Sequence, residues 1–166
     1  VLADFKIADV PVTNNRIIRI CRNAGVDGVL IHGFIGIDAL QSAKEAAGDL
    51  KLYLVTQLTN PGGLNFTAEF TEEFSRIART LELAGVQAPG NRPEVVRTVR
   101  ELVGEDLEII CCGIGAQGGG FGEAIAAGAD YEIIGRAIYQ SDDPLAAVRE
   151  IKAAIAPHLS LRHPEK

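Results

Sequence analysis

Three stretches of the chain repeat one pattern. "AGVDGVLIHG" (24–33), "AGVQAPG" (84–90) and "AGADYEIIG" (127–135) each open on Ala-Gly, pass through a short strand-like run and close on Gly. The first Gly suits the left-handed residue that ends a helix. The last lies where a strand gives way to a loop. Runs such as "GVLIHG", "KLYLVT", "EIICC" and "YEIIG" are continuously apolar rather than alternating. That demands burial on both faces, as in a parallel sheet wrapped by helices. Strands are predicted near 1–7, 28–33, 51–57, 85–88, 108–112 and 131–135. Helices are predicted near 13–24, 36–47, 67–82 (opened by a Thr67 cap), 93–103, 122–127 and 143–156. Strand and helix thus alternate about six times. Doubly wound sheets and (β/α)8 barrels both satisfy that alternation, and six units are two short of a closed barrel.

A length of 166 residues allows one domain with a substantial core. The expected division is a single barrel-type domain over 1–158 and a polar tail over 159–166, with His163 dangling at the surface. A formal net charge of −6 argues against a general nucleic-acid or membrane-surface role. It leaves room for a small anion held by one Arg and backbone N–H groups. No apolar run is long enough to span a bilayer. Cys21, Cys111 and Cys112 read as buried reduced thiols, which leads to the expectation of a cytoplasmic protein. Their spacing does not suit a metal site, and none is expected.

Four places carry candidate chemistry. In "ADFKIAD" (3–9), Asp4 and Lys6 are two apart and face the same side of a strand. Asp9 follows just past the C-terminal end, where parallel α/β folds carry their sites. Flanking carboxylates favour an ammonium, which suits proton donation to a carbanion and not Schiff-base chemistry. A plain strand-end salt bridge is the competing reading. "GIGAQGGGFGEAI" (113–125) follows a buried strand and opens a helix, so its backbone N–H groups and helix dipole suit an anion, with Gln117 in reach. "IIGRAIYQSDDP" (133–144) places Gly135 and Arg136 at a strand end, where Arg136 binds a phosphate or pairs with Asp142 or Asp143. "VTQLTNPGG" (55–63) offers Thr59 and Asn60 as substrate contacts and a glycine-rich lid, or an ordinary loop. His32 ends a buried strand, and a hydrogen-bonded structural histidine is the expected role.

"ADFKIADVPVTN", "IHGFIG", "TQLTNPG", "GIGAQGG" and "IIGRAIY" together resemble orotidine 5'-phosphate decarboxylase, in its archaeal form, across nearly all of the chain. The resemblance implies a homodimeric (β/α)8 TIM barrel, of which about six β/α units are present here. It implies conversion of orotidine monophosphate to UMP, with no cofactor and no metal. By resemblance Lys6 protonates C6 of the pyrimidine, Asp4 sits near the departing carboxylate, and Asp9 and Thr13 reach the neighbouring subunit's site. Gln117, Gly118, Gly135 and Arg136 hold the 5'-phosphate, and Thr59 contacts the pyrimidine edge. Family members carry two earlier strands that bring another Asp and another Lys. Neither precedes Val1, so the expectation is a barrel lacking its first two strands. Cys111 and Cys112 stand where the archaeal pattern commonly has Ser-Pro. Magnesium-dependent sister enzymes (3-keto-L-gulonate 6-phosphate decarboxylase or hexulose phosphate synthase), a non-catalytic nucleotide-binding remnant and a generic phosphate-binding barrel are the alternatives.

Overall fold

The computed structural model describes the backbone of residues 1–162 and the side chains of residues 1–159. Six parallel strands follow one another in the sheet in sequence order. They are β1 (Leu2–Ile7), β2 (Gly28–His32), β3 (Lys51–Val55), β4 (Gly85–Pro89), β5 (Glu108–Cys112) and β6 (Tyr131–Glu132). The helices are α1 (Pro11–Asn23), α2 (Ile37–Ala47), α3 (Thr71–Thr80), α4 (Pro93–Val103), α5 (Glu123–Ala126), α6 (Arg136–Tyr139) and α7 (Pro144–Arg162). A doubly wound sheet reverses its strand order partway across. Strictly sequential order instead keeps every crossover on one face, so the sheet curls around the other as an open barrel wall.

The two faces of the wall are packed differently. Val29, Ile31, Leu52, Leu54, Val86, Ala88, Ile109 and Cys111 pack with helix residues into the larger core. The alternate positions Leu30, Tyr53, Val55 and Ile110 form a smaller cluster on the concave face. Register agrees: Val55 pairs with Gln87 and Gln87 with Ile110, so the buried Gln87 also faces the concave side. Each fully buried Ile, Leu or Val contributes roughly 1.5–3 kcal/mol of transfer free energy. The convex side therefore carries most of the hydrophobic stabilisation.

Local sequence explains the elements. Buried Val96, Val99 and Val103 fall at helical spacing on α4, which Pro93 opens and Gly104, at φ 71°, closes. Four elements depart from expectation. Thr67 caps no helix: its hydroxyl donates to the Gly63 carbonyl at 2.7 Å and accepts from the Leu58 N–H at 3.2 Å, and α3 starts only at Thr71. β6 ends at Glu132 rather than 135. The short α6 follows it and has no periodic signal to announce it. α7 continues past the 158 boundary to Arg162, so the first part of the expected tail is helical, while residues 163–166, His163 included, lie outside the described residues. No helix among the described residues is long and apolar enough to cross a membrane.

Candidate active site

β1 is not a regular strand. Ala3 pairs with Val29 and Ile7 with Ile31, so four steps along β1 match two along β2. The surplus is absorbed by a bulge through Asp4, Phe5 and Lys6, and Lys6 has φ 45°. A lysine in the left-handed region is strained by about 1–2 kcal/mol. The bulge turns the two side chains onto each other: Lys6 Nζ donates to Asp4 Oδ1 and Oδ2, both at 2.6 Å. The pair keeps access to solvent, with side chains 34% and 46% exposed. Simple alternation placed the two residues on one side, but the bulge supplies the contact.

The pair's field reaches across the concave face. His32 is held below its ordinary value of 6.5 by burial first and then by the Lys6 ammonium, with Asp4 opposing. Burial raises the Cys112 thiol, against a downward pull from Lys6. Cys112 is on β5, four places along the sheet from β1, so this proximity comes from the curl. His32 lies 4.6 Å from the Phe34 ring and makes no side-chain hydrogen bond among the described residues, contrary to the expected hydrogen-bonded role. Burial and the Phe34 ring hold it in place.

Asp9 lies outside this pair. Its N–H donates to Asn14 Oδ1 at 3.0 Å, its carbonyl accepts from Asn14 Nδ2 at 2.6 Å, and its carboxylate accepts the Val10 N–H at 2.7 Å. Among the described residues Asp4 is the acid bonded to Lys6, and Asp9, the other carboxylate expected to flank it, makes no ion pair with it. Fully buried Asn14 fixes the turn into α1 and was missed by the sequence reading, since a helical Asn reads as surface. Thr13, in the first turn of α1, is half-buried.

The remaining loops converge through two residues that sequence reasoning also missed. Thr59, Asn60, Pro61, Asn91, Arg92 and Gln117 line one cleft. Asn91 Nδ2 donates to the Thr59 carbonyl at 3.1 Å and the Gln117 carbonyl at 3.4 Å, while its Oδ1 is buried without a partner among the described residues. Arg92 donates to the carbonyls of Leu58 at 2.9 Å, Asn60 at 3.2 Å and Thr59 at 3.4 Å. The only sequence hint was polar Asn-Arg before a helix-starting Pro93. The loop expected as a lid is thus pinned here, with a 3-10 turn over Pro61–Leu64.

The glycine-rich loop runs with Gly113, Gly115, Gly118 and Gly122 all at positive φ. A Cβ on Gly115 would stand 3.4 Å from Ala137 Cβ, so the loop leans on α6, whose first residue is the exposed Arg136. Around Gly118 there is open space. Among the described residues no ion pair joins Arg136 to Asp142 or Asp143. The start of α5, expected to offer its N–H groups to an anion, is already filled. Glu132 accepts the N–H groups of Gly122, Ala124 and Ile125 at 2.9–3.4 Å. The loop and Arg136 remain as anion groups; the helix start does not.

A curled parallel wall carrying a lysine–carboxylate pair and glycine-rich loops at its C-terminal strand ends defines a barrel enzyme of the (β/α)8 class. The family model described as orotidine 5'-phosphate decarboxylase / HUMPS family matches residues 1–151. The chain belongs to that family. It is 43% identical over 153 residues to the orotidine 5'-phosphate decarboxylase of Methanococcoides burtonii, covering 91% of this chain and 71% of that protein. It is 44% identical to that of Pyrococcus abyssi over 151 residues, with the same coverage. Among solved structures, the Methanocaldococcus jannaschii orotidine 5'-monophosphate decarboxylase complexed with inhibitor BMP superposes with a TM-score of 0.86 at 34% identity, over 93% of this chain and 72% of that one. The Pyrococcus horikoshii enzyme gives 0.83 at 41% identity, over 93% and 73%.

Proposed function

We propose that this chain decarboxylates orotidine 5'-monophosphate to UMP, the last step of de novo pyrimidine synthesis, as a cytoplasmic homodimer without cofactor or metal. Family membership supports the reaction, and the bulged Asp4–Lys6 pair is the observation that carries the assignment of roles. Loss of carbon dioxide leaves an electron pair on C6 of the pyrimidine. The Lys6 ammonium stabilises that charge and then donates its proton to form the C6–H bond, leaving a neutral amine. Asp4 stands beside the departing carboxylate and orients Lys6. Thr59 contacts the pyrimidine edge. Gln117, Gly118, Gly135 and Arg136 hold the 5'-phosphate, and binding energy gained there orients the reacting ring. Asp9 and Thr13 serve the neighbouring subunit's site. The exposed Val10, Val12, Phe34 and Ile37 around Asp9 support a subunit contact at that place.

Loss of orotidine monophosphate absorbance tests the reading directly. Wild type is expected to turn over, and Lys6→Ala to be slower by a factor on the order of 10²–10⁴. Equal rates would remove Lys6 as the acid. A chelator is expected to leave the rate unchanged, whereas the sugar-phosphate sister reading requires magnesium.

A further inference from the structure

β6 carries a carboxylate on the face where its neighbours bury apolar groups. Glu132 pairs in register with Cys111, a member of the sheet–helix core, so it points into the helix layer and away from the concave face. A half-buried carboxylate there requires compensation. Gly122 N–H donates to both oxygens, at 3.0 and 2.9 Å; Ala124 N–H donates to Oε1 at 3.1 Å and Ile125 N–H at 3.4 Å. These are charge-assisted bonds to the N–H groups of the N-cap Gly122 and of Ala124 and Ile125 in the first turn of α5.

Their position matters more than their number. Gly122, at φ 86°, is the exit of the glycine-rich loop. Glu132 lies four residues before Arg136 on the same segment. Near its start the same loop comes close to that segment again, where a Cβ on Gly115 would stand 3.4 Å from Ala137 Cβ. The loop therefore lies near the β6–α6 segment at its start and is tied to it at its exit by the Glu132 carboxylate.

We propose that Glu132 is a positioning residue for phosphate binding. It sets the loop carrying Gln117 and Gly118 against the turn carrying Gly135 and Arg136, so that both converge on one phosphate. This rests on the phosphate site proposed above. Glu132 itself touches no substrate, and by filling the start of α5 it leaves the phosphate to the loop and to Arg136.

The test compares UMP with uridine by titration calorimetry on the full chain, with amide hydrogen exchange alongside. Wild type is expected to prefer UMP strongly. Glu132→Gln keeps the shape and removes the charge. It is expected to weaken UMP binding about tenfold, leave uridine binding unchanged and speed exchange at Gly122, Ala124 and Ile125. Glu132→Asp, which retracts the charge by one methylene, is expected to lose about threefold and supplies the reading if Glu132→Gln does not fold. A variant that retains the full UMP preference overturns the role of Glu132. So does a folded variant that loses uridine and UMP affinity together, since its effect is then not confined to the phosphate. A wild type without any preference for UMP sinks the phosphate site itself, and the positioning role with it.

Discussion

At the N-terminal ends of the strands, Tyr53 on the concave face lies between Gly28 and Gly85. Ideal Cβ atoms on these glycines would stand 3.2 and 2.8 Å from its ring. Its hydroxyl donates to Glu108, which also binds Lys51 Nζ at 3.2 Å. Burial, then that hydrogen bond, raises the Tyr53 pKa strongly. At the C-terminal ends, by contrast, Lys6 is strained at φ 45°, its pair with Asp4 is half open, and the loops carry four positive-φ glycines between 113 and 122. The lower end spends its glycines on close packing and the upper end on backbone shapes that other residues resist. The same curled wall thus separates a region built for stability from one built to present charges and N–H groups.

That contrast can be broken at several points. The largest effect is expected for Lys6→Gly. Activity should fall by a factor on the order of 10²–10⁴. Stability should exceed that of Lys6→Ala by about 1 kcal/mol, because glycine accepts positive φ without strain. Denaturant titration of both variants checks it, and equal stabilities would mean that the bulge stores no strain. Arg136→Ala comes next. Losing its charge-assisted bonds, worth about 1.5–3 kcal/mol, should raise KM for the nucleotide roughly 10- to 150-fold with little change in Tm. At the lower end the pattern should invert: Gly85→Ala drives a methyl into Tyr53 and the Glu108 carbonyl. It should lose about 1–3 kcal/mol, read by thermal unfolding, with KM preserved.

The smallest expected effect is a pH slope from His32. Burial and Lys6 lower its folded pKa below the unfolded value of 6.5. The unfolded chain then binds the extra proton as pH falls through 6.5, so stability is full above that point and declines below it. His32→Gln should flatten the decline in denaturant midpoints between about pH 7 and 5.

The wall itself was legible because doubly buried strands must be continuously apolar: β5 and α4 fall where "EIICC" and the helix predicted over 93–103 put them. Asp4, Lys6, Gln117 and Arg136 were legible as residue types that apolar strand ends and glycine loops do not otherwise need. What stayed hidden depends on contacts between distant segments. Asn91 and Arg92 read as ordinary turn residues until they are seen holding the carbonyls of Leu58, Thr59, Asn60 and Gln117. Glu132 sat inside a run counted as apolar. Nothing local says that its carboxylate reaches back ten residues to Gly122. The bulge in β1 was equally silent, because periodicity presumes a regular strand.

In the proposed reaction the Lys6 ammonium passes its proton to C6. Proton transfer of that kind runs in both directions, so the chain in deuterated water should exchange the C6 hydrogen of UMP for deuterium, visible by NMR. Exchange by wild type that is abolished in Lys6→Ala is the predicted result. Exchange that survives the substitution undiminished would contradict it.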